Sequence, residues 1–182
     1  NQVEIKQNGE TESANTLETK NVLLATGSVP VAPRGLDFDG QHIVSSTEAL
    51  AFEEVPKRLG IIGGGYIGLE LGSVWMRLGA KVTVIEMLPQ IAATLDGQVG
   101  RALDRILRKQ GLAMRLKTRV KAAKAVGKKV KVTLDSAGEE EIMSFDRLLV
   151  AVGRKPQTAG LGLEELDMAL DSRTGQIMVD AS

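Results

Sequence analysis

Three glycines and one carboxylate carry the chemistry legible in this chain. In Leu59-Gly60-Ile61-Ile62-Gly63-Gly64-Gly65-Tyr66-Ile67-Gly68-Leu69-Glu70, the glycines at 63, 65 and 68 have G-x-G-x-x-G spacing. The acidic residue that closes such a fingerprint about 20 residues further on is present as Glu86. This arrangement suits a dinucleotide. Gly63 permits a sharp turn out of a strand, Gly65 lacks the Cβ that would hold the backbone away from a pyrophosphate, and Gly68 lets a helix pack closely on a sheet. The first amides of a helix have no partner within it and lie at the positive end of its dipole, so phosphate oxygens can satisfy them without a basic side chain. A carboxylate at Glu86 can accept from both hydroxyls of an adenosine ribose and repels a 2′-phosphate. Met87, Leu88, Pro89 and Gln90 supply no cation to hold that phosphate, so NAD is expected over NADP.

Those residues need a strand, a turn and a helix to position them. Leu59–Ile62 is a short apolar run, Tyr66–Leu78 has helical spacing with Gly79 to stop it, and Lys81–Ile85 is a β-branched strand with Glu86 at its C-terminal end. Leu71, Val74, Trp75 and Leu78 are assigned to packing on the first helix. Asp96–Gln110 predicts a second helix with Val99, Leu103, Ile106 and Leu107 on one face and Gly111 at its end. From Ala113 the period changes to two, through Met114, Leu116, Val120, Val130–Leu134, a Ser136-Ala137-Gly138 turn and Glu141–Met143, which predicts antiparallel strands. Arg147–Val152 is a buried-type strand ending at Gly153-Arg154-Lys155-Pro156. Upstream, Val3–Lys6 alternates, Asn8-Gly9 signals a hairpin, and Lys20–Ala25 is an apolar run ending at Thr26-Gly27-Ser28. Pro30, Pro33 and Gly35 mark a crossover, Ser46 opens a short helical stretch, and Ile177–Asp180 reads as a strand cut by the chain end. The fold class expected is α/β: an FAD/NAD(P)-binding Rossmann-like unit, with a parallel sheet, helices and an antiparallel β-meander.

Composition narrows the classes. With 182 residues, 43% of them hydrophobic, the chain can bury a substantial core. Apolar runs are strand-length and no signal peptide is evident, so no membrane association is expected. Acidic and basic residues balance at 23 each, and the local basic run from Lys117 to Lys131 alternates with valines as a solvated strand face does; no nucleic-acid partner is expected. Absence of cysteine excludes disulfides, thiolate metal sites and thiol redox chemistry within these residues. The single histidine, His42, has no matching ligand set, so no metal site is assigned and its expected place is a surface loop.

Ala25-Thr26-Gly27-Ser28-Val29-Pro30, the Gly63–Gly72 fingerprint with Glu86, and Ala151-Val152-Gly153-Arg154-Lys155-Pro156 occur in one order at wide separation. Together they resemble the flavin-dependent pyridine nucleotide-disulfide reductases. Ser45–Leu50, Gly68–Trp75 and Leu161–Leu166 are similar to the dihydrolipoamide dehydrogenase branch of that family, the E3 components of 2-oxo acid dehydrogenase complexes. The resemblance implies an NAD domain inserted in an FAD domain: residues 1–35 as closing strands of the FAD domain, 36–152 as the NAD-binding domain, and 153–182 as the return into the FAD domain. It implies that Gly63, Gly64, Gly65, Tyr66, Ile67, Gly68, Leu69 and Glu70 line the pyrophosphate and nicotinamide side of NAD, Glu86 the adenosine ribose, Val120 the adenine and Gly153 the nicotinamide end, with Thr26, Gly27 and Ser28 approaching FAD. Glu70 is either a positioning residue or a solvated helix charge, and Tyr66 either a gate over the nicotinamide pocket or a packed tyrosine.

The family's FAD fingerprint, redox cysteine pair, later flavin-binding segment and His-Glu acid-base pair do not occur in these residues, so no catalytic residue is assigned and this segment alone is not expected to turn over. The implied partners are NAD(H), a lipoamide-bearing acyltransferase or carrier protein, and a second copy in a homodimer; the implied compartment is the cytoplasm or the mitochondrial matrix. Two alternatives stand beside this: a related glutathione- or mercuric-reductase-like enzyme, and a non-catalytic NAD-sensing module.

Overall fold

The computed structural model describes residues 2–5 and 15–180. Its centre is a five-stranded, all-parallel sheet in the order β4-β11-β5-β6-β7, formed by β4 (Ile43–Val44), β5 (Arg58–Ile62), β6 (Lys81–Ile85), β7 (Ala113–Arg115) and β11 (Arg147–Val150). Helix α2 (Tyr66–Arg77) connects β5 to β6 and α3 (Gly97–Gln110) connects β6 to β7. The chain winds outward from β5 through β6 to β7, then returns to place β11 on the other side of β5. The crevice beyond the C-terminal ends of β5 and β11 is therefore a topological switch point, where open α/β sheets bind ligands. The return runs through a three-stranded antiparallel meander, β8 (Thr118–Val126), β9 (Lys129–Ser136) and β10 (Glu139–Phe145). Two short antiparallel pairs lie apart from these, β1 (Gln2–Ile5) with β2 (Asn15–Glu18), and β3 (Ser28–Pro30) with β12 (Arg154–Pro156).

Period-two burial on both faces explains why the central strands are apolar throughout. Leu59 and Ile61, Val82 and Val84, and Leu149 face a core shared with Leu69, Trp75, Leu107 and Leu112 on the helical side. Ile62, Ile85, Leu148 and Val150 face a second core, filled by Val130, Val132, Leu134 and Phe145 of the meander. The molecule thus has three layers, helices on one face of the parallel sheet and an antiparallel sheet on the other; strands covered twice must be hydrophobic on both sides. Trp75 ties α1 (Ser46–Ala49) to α2, its indole N–H donating to the Ala49 carbonyl at 3.1 Å and its ring tilted against Phe52 with centroids 5.2 Å apart.

Several expectations need correction. Met114 belongs to β7, the fifth strand of the parallel sheet, and not to the antiparallel set; a short alternating run does not encode its partner. Val74 and Leu78 are exposed, and on α3 the buried stripe is Gly100 and Leu107 with Leu103 packed beside it, leaving Val99 and Ile106 outside. Lys20–Ala25 makes no ladder, and Leu23 is 89% exposed. Ile177 forms only an isolated bridge to Leu170, so 177–180 is not a strand. Both runs have strand-like apolarity, but among the described residues 20–25 has no ladder partner and 177–180 has only the short contact with Ala169 and Leu170. The Asn8-Gly9 turn lies outside the described residues.

Two carboxylates fasten the entry to the sheet. Asp39 Oδ1 accepts from the amides of Gln41, His42 and Ile43 at 2.9, 2.6 and 2.8 Å. Glu48 Oε2 accepts from the Ser45 hydroxyl at 2.6 Å and the Ser45 amide at 2.8 Å, completing a capping box on α1. Burial pushes the Asp39 pKa up, but the three amides outweigh it and hold the group below its ordinary 3.8. The Ser45 hydroxyl holds Glu48 below its ordinary 4.5. Both pKa values are depressed by folding, so this stabilisation is complete above the ordinary values and is lost as pH falls through the lowered ones. Urea midpoints measured from pH 6 down to about pH 3 should fall on acidification, and less steeply in D39N/E48Q than in the parent; equal slopes would show that these two groups carry no part of the acid limb.

Candidate functional site: a glycine turn closed by a carboxylate

At the C-terminal end of β5 the chain turns at Gly63 and enters α2 through Gly65, its N-cap. The turn is held from three directions: the Gly63 amide donates to the Ile85 carbonyl at 2.9 Å, the Ala92 amide donates to the Gly64 carbonyl at 2.8 Å, and the Ala151 amide donates to the Ile62 carbonyl at 2.8 Å. Strands β6 and β11 and the loop after β6 therefore fix its shape. Ala92, buried and with φ of 47°, is a strained position at this edge that no sequence pattern indicated.

The glycines play different parts. Gly63 has φ of +105°, and a Cβ there would stand 2.4 Å from the Ala151 carbonyl oxygen. A Cβ on Gly68 would stand 2.3 Å from the Gly63 carbonyl oxygen and 3.1 Å from Ile61 Cγ2, which is the close helix–sheet approach expected of the third glycine. Gly65 has an ordinary φ of −80° and open space where its Cβ would be. Folding does not require glycine at 65; a ligand approaching the backbone would. No side chain caps α2 and its first turn holds no acidic residue, so its leading amides face the crevice with their partial positive charge uncompensated. A pyrophosphate fits this cradle.

Glu86, half-buried at the end of β6, does more than its sequence position implied. Its Oε2 accepts from the Gly64 amide at 2.7 Å and its Oε1 accepts from the Leu88 amide at 2.7 Å. Its backbone is held as well, the Glu86 amide donating to Arg115 and the Thr118 amide donating to Glu86. The carboxylate is thus fixed in the crevice with each oxygen bonded once, and each keeps lone-pair capacity for a ribose hydroxyl. One consequence is that the Gly64 amide is already engaged. Leu88, through its amide, is a site residue that side-chain chemistry could not reveal.

The other assigned residues surround this centre. Tyr66 opens α2 with 69% of its surface exposed in this chain, and Glu70 lies exposed one turn on. Ile67 is half-buried and Leu69 is core. Gly153 lies just past β11, two residues beyond the Ala151 carbonyl that abuts Gly63, and its φ is 146°. Thr26, Gly27 and Ser28 lie against the segment that follows it: the Val31 amide donates to Gly153 at 3.1 Å, the Thr26 hydroxyl to the Gln157 carbonyl at 2.6 Å, and Arg154 Nε to the Ser28 hydroxyl at 2.8 Å. Val120 is on β8 two residues past Thr118 and packs on the second core beside a bulge in the ladder. The structure therefore gathers segments from 26, 63, 86, 120 and 153 around one end of the parallel sheet. A cavity of about 940 Å³ lies elsewhere, lined by Phe52, Pro56, Lys128 and Arg147 among others at the opposite end of the strands, with carboxylates and cations intermixed. Among the described residues no group of three His, Asp or Glu side chains could hold a metal ion.

The glycine geometry separates folding from binding. Gly68→Ala and Gly63→Ala should each destabilise the protein by about 1–3 kcal/mol or more, since backbone must move. Gly65→Ala, which places alanine at the N-cap of α2, should cost no more than about 1 kcal/mol of stability while losing affinity for a dinucleotide. A loss as large as that of Gly68→Ala would show that folding, and not a ligand, requires glycine there.

The sequence matches the pyridine nucleotide-disulphide oxidoreductase family over residues 1–182. It is 44% identical over 165 residues to a mitochondrial dihydrolipoyl dehydrogenase of Schizosaccharomyces pombe, covering 90% of this chain and 32% of that protein. It is 43% identical over 173 residues to a leghemoglobin reductase of Glycine max, covering 93% of this chain and 33% of that protein. The HOCl-induced flavoprotein disulfide reductase RclA of Escherichia coli superposes with a TM-score of 0.73 at 34% identity, covering 85% of this chain and 35% of that one. The chain spans about a third of the length of the curated relatives it matches. With three-layer topology, glycine turn and sequence in agreement, this chain belongs to the pyridine nucleotide-disulphide oxidoreductase family.

Proposed function

We propose that this chain is the NAD(H)-binding part of a flavin-dependent dihydrolipoamide dehydrogenase, which oxidises dihydrolipoamide to lipoamide while NAD+ is reduced to NADH. The observation that carries it is the Glu86 carboxylate, anchored at 2.7 Å to the glycine turn and set beside the uncapped N-terminus of α2. In this proposal residues 36–152 are the NAD domain, 1–35 and 153–182 belong to an FAD domain, and the redox and acid-base groups come from elsewhere in a longer protein. The match to a dihydrolipoyl dehydrogenase over 90% of the chain supports that choice.

Each residue then has a physical task. The leading amides of α2 receive the pyrophosphate, with Gly65 leaving it room and Gly63 and Gly68 holding the turn in shape. Glu86 accepts from the adenosine ribose, and Val120 and Leu88 border the adenine. Gly153, with Tyr66 and Glu70, borders the nicotinamide; the exposed ring of Tyr66 is free to cover the pocket and swing aside. Thr26, Gly27 and Ser28, tied by hydrogen bonds to the segment after Gly153, set the flavin side against the nicotinamide side. When bound, FAD supplies the two-electron relay between a dithiol and the nicotinamide. The chain's own contribution is placement, and a misplacement of about 1 Å can cost on the order of 100-fold in rate.

A lipoamide-bearing acyltransferase or carrier protein and a second copy of the chain complete the proposed assembly, in the cytoplasm or the mitochondrial matrix. No helix among the described residues is long and apolar enough to cross a membrane. A second reading, a reductase of the same family acting on another acceptor, is favoured by the names of the Glycine max and Escherichia coli relatives.

Calorimetric titration should give saturable NADH binding with much weaker NADPH binding, and Glu86→Ala should lose about 1.5–3 kcal/mol of NADH affinity. Unchanged affinity in that variant would remove Glu86 from the site. Dihydrolipoamide-dependent NADH formation by the intact flavoprotein would establish the substrate, whereas NADH binding without that activity would favour the second reading.

A further inference from the structure

The residues after β6 carry no cation of their own, but the fold brings one to them. The chain entering β8 runs back along residues 86–88, the Thr118 amide donating to the Glu86 carbonyl at 3.0 Å and the Lys117 amide donating to the Leu88 carbonyl at 3.1 Å. From there the Arg119 guanidinium reaches Met87, with 3.9 Å between its terminal nitrogen and Sδ. Arg119 is exposed and stands opposite Asp135 across the β8–β9 ladder, but among the described residues it makes no ion pair, and Asp135 Oδ1 accepts from the Gly138 amide instead. Its neighbours differ: Arg115 pairs with Glu141 and Lys121 with Glu140. One uncommitted guanidinium therefore lies against the side chain that immediately follows the ribose-facing carboxylate. Glu86 cannot swing away to make room for a second anion, because both its oxygens are held by backbone amides.

We propose that Arg119 is a latent ligand for a phosphate on the adenosine 2′-position, and that selectivity against NADPH rests on the Glu86 carboxylate alone. This inference rests on the crevice being the adenosine ribose site. With Glu86 ionised, a 2′-phosphate meets a fixed negative charge at contact distance, and that repulsion outweighs a flexible, solvated cation. Once the charge is removed, a guanidinium fork within side-chain reach becomes the counter-ion, and its planar donors suit a phosphate. Lys117, exposed on the same turn, adds positive potential without a defined contact. The discriminating residue and the latent ligand thus come from separate strands, β6 and β8.

The test titrates the parent protein, R119A, E86Q and E86Q/R119A with NADH and with NADPH, with circular dichroism confirming each fold. The E86Q change keeps an acceptor oxygen and the size of the side chain while removing the charge. NADPH affinity should rise at least about tenfold in E86Q, and the gain should vanish in E86Q/R119A. R119A alone should leave NADH affinity within about twofold of the parent while weakening residual NADPH binding several-fold; this variant leaves both Glu86 bonds intact, so it serves even if E86Q does not fold. A gain that survives in the double variant, no gain in E86Q, or an R119A protein with unaltered NADPH affinity would overturn the role of Arg119. A folded parent that binds neither nucleotide would overturn the ribose-site reading itself, a result distinct from those three.

Discussion

Everything at this site depends on how closely the first turn of α2 approaches the end of β5. The Gly63 carbonyl oxygen occupies space 2.3 Å from where a Cβ on Gly68 would be, so helix and turn can meet only without that atom. That contact sets the helix axis, and the axis aims the leading amides at the crevice between β5 and β11. Any larger residue at 68 would lift the helix, and the amides, the core beneath Leu69 and the room beside Gly65 would all move with it. Dense interiors give such a contact no slack.

The same turn is braced laterally by groups that line the crevice. Glu86 holds the Gly64 amide, Ala92 holds its carbonyl, and Ala151 closes on Ile62. The glycine turn and the Glu86 carboxylate are consequently one mechanical unit, joined by a charge-assisted hydrogen bond between the segments that follow β5 and β6. Beneath it, strands apolar on both faces are sandwiched between helices and meander, a rigid base for groups that must be placed to within fractions of an ångström.

Where periodicity misled, the cause was the same each time. Val74, Leu78, Val99 and Ile106 have the spacing of buried helical positions, yet α2 meets the sheet through Gly68 and Gly72, and α3 buries Leu107 in the core and Gly100 against the Ile91 carbonyl. Met114 alternates like its neighbours in the meander and pairs parallel to Val84 instead. Lys20–Ala25 has the composition of a strand and no ladder partner among the described residues. Apolarity states that a residue can be buried; which surface buries it depends on elements distant along the chain.

The strand-turn-helix fingerprint, the acidic end of the second strand, the α/β class and the resemblance that the family match makes firm were all legible in the residues alone, because they follow from local sterics, hydrogen-bond capacity and hydrophobic period. Other features came from the assembled fold: Glu86 grips the glycine turn and engages the Gly64 amide, Thr26–Ser28 lies against the segment after Gly153, and Arg119 arrives beside Met87. These contacts join residues 22 to 131 positions apart in the chain. No local preference encodes such separations; they are set by which strands pair, and pairing is chosen by burial summed over the whole sheet.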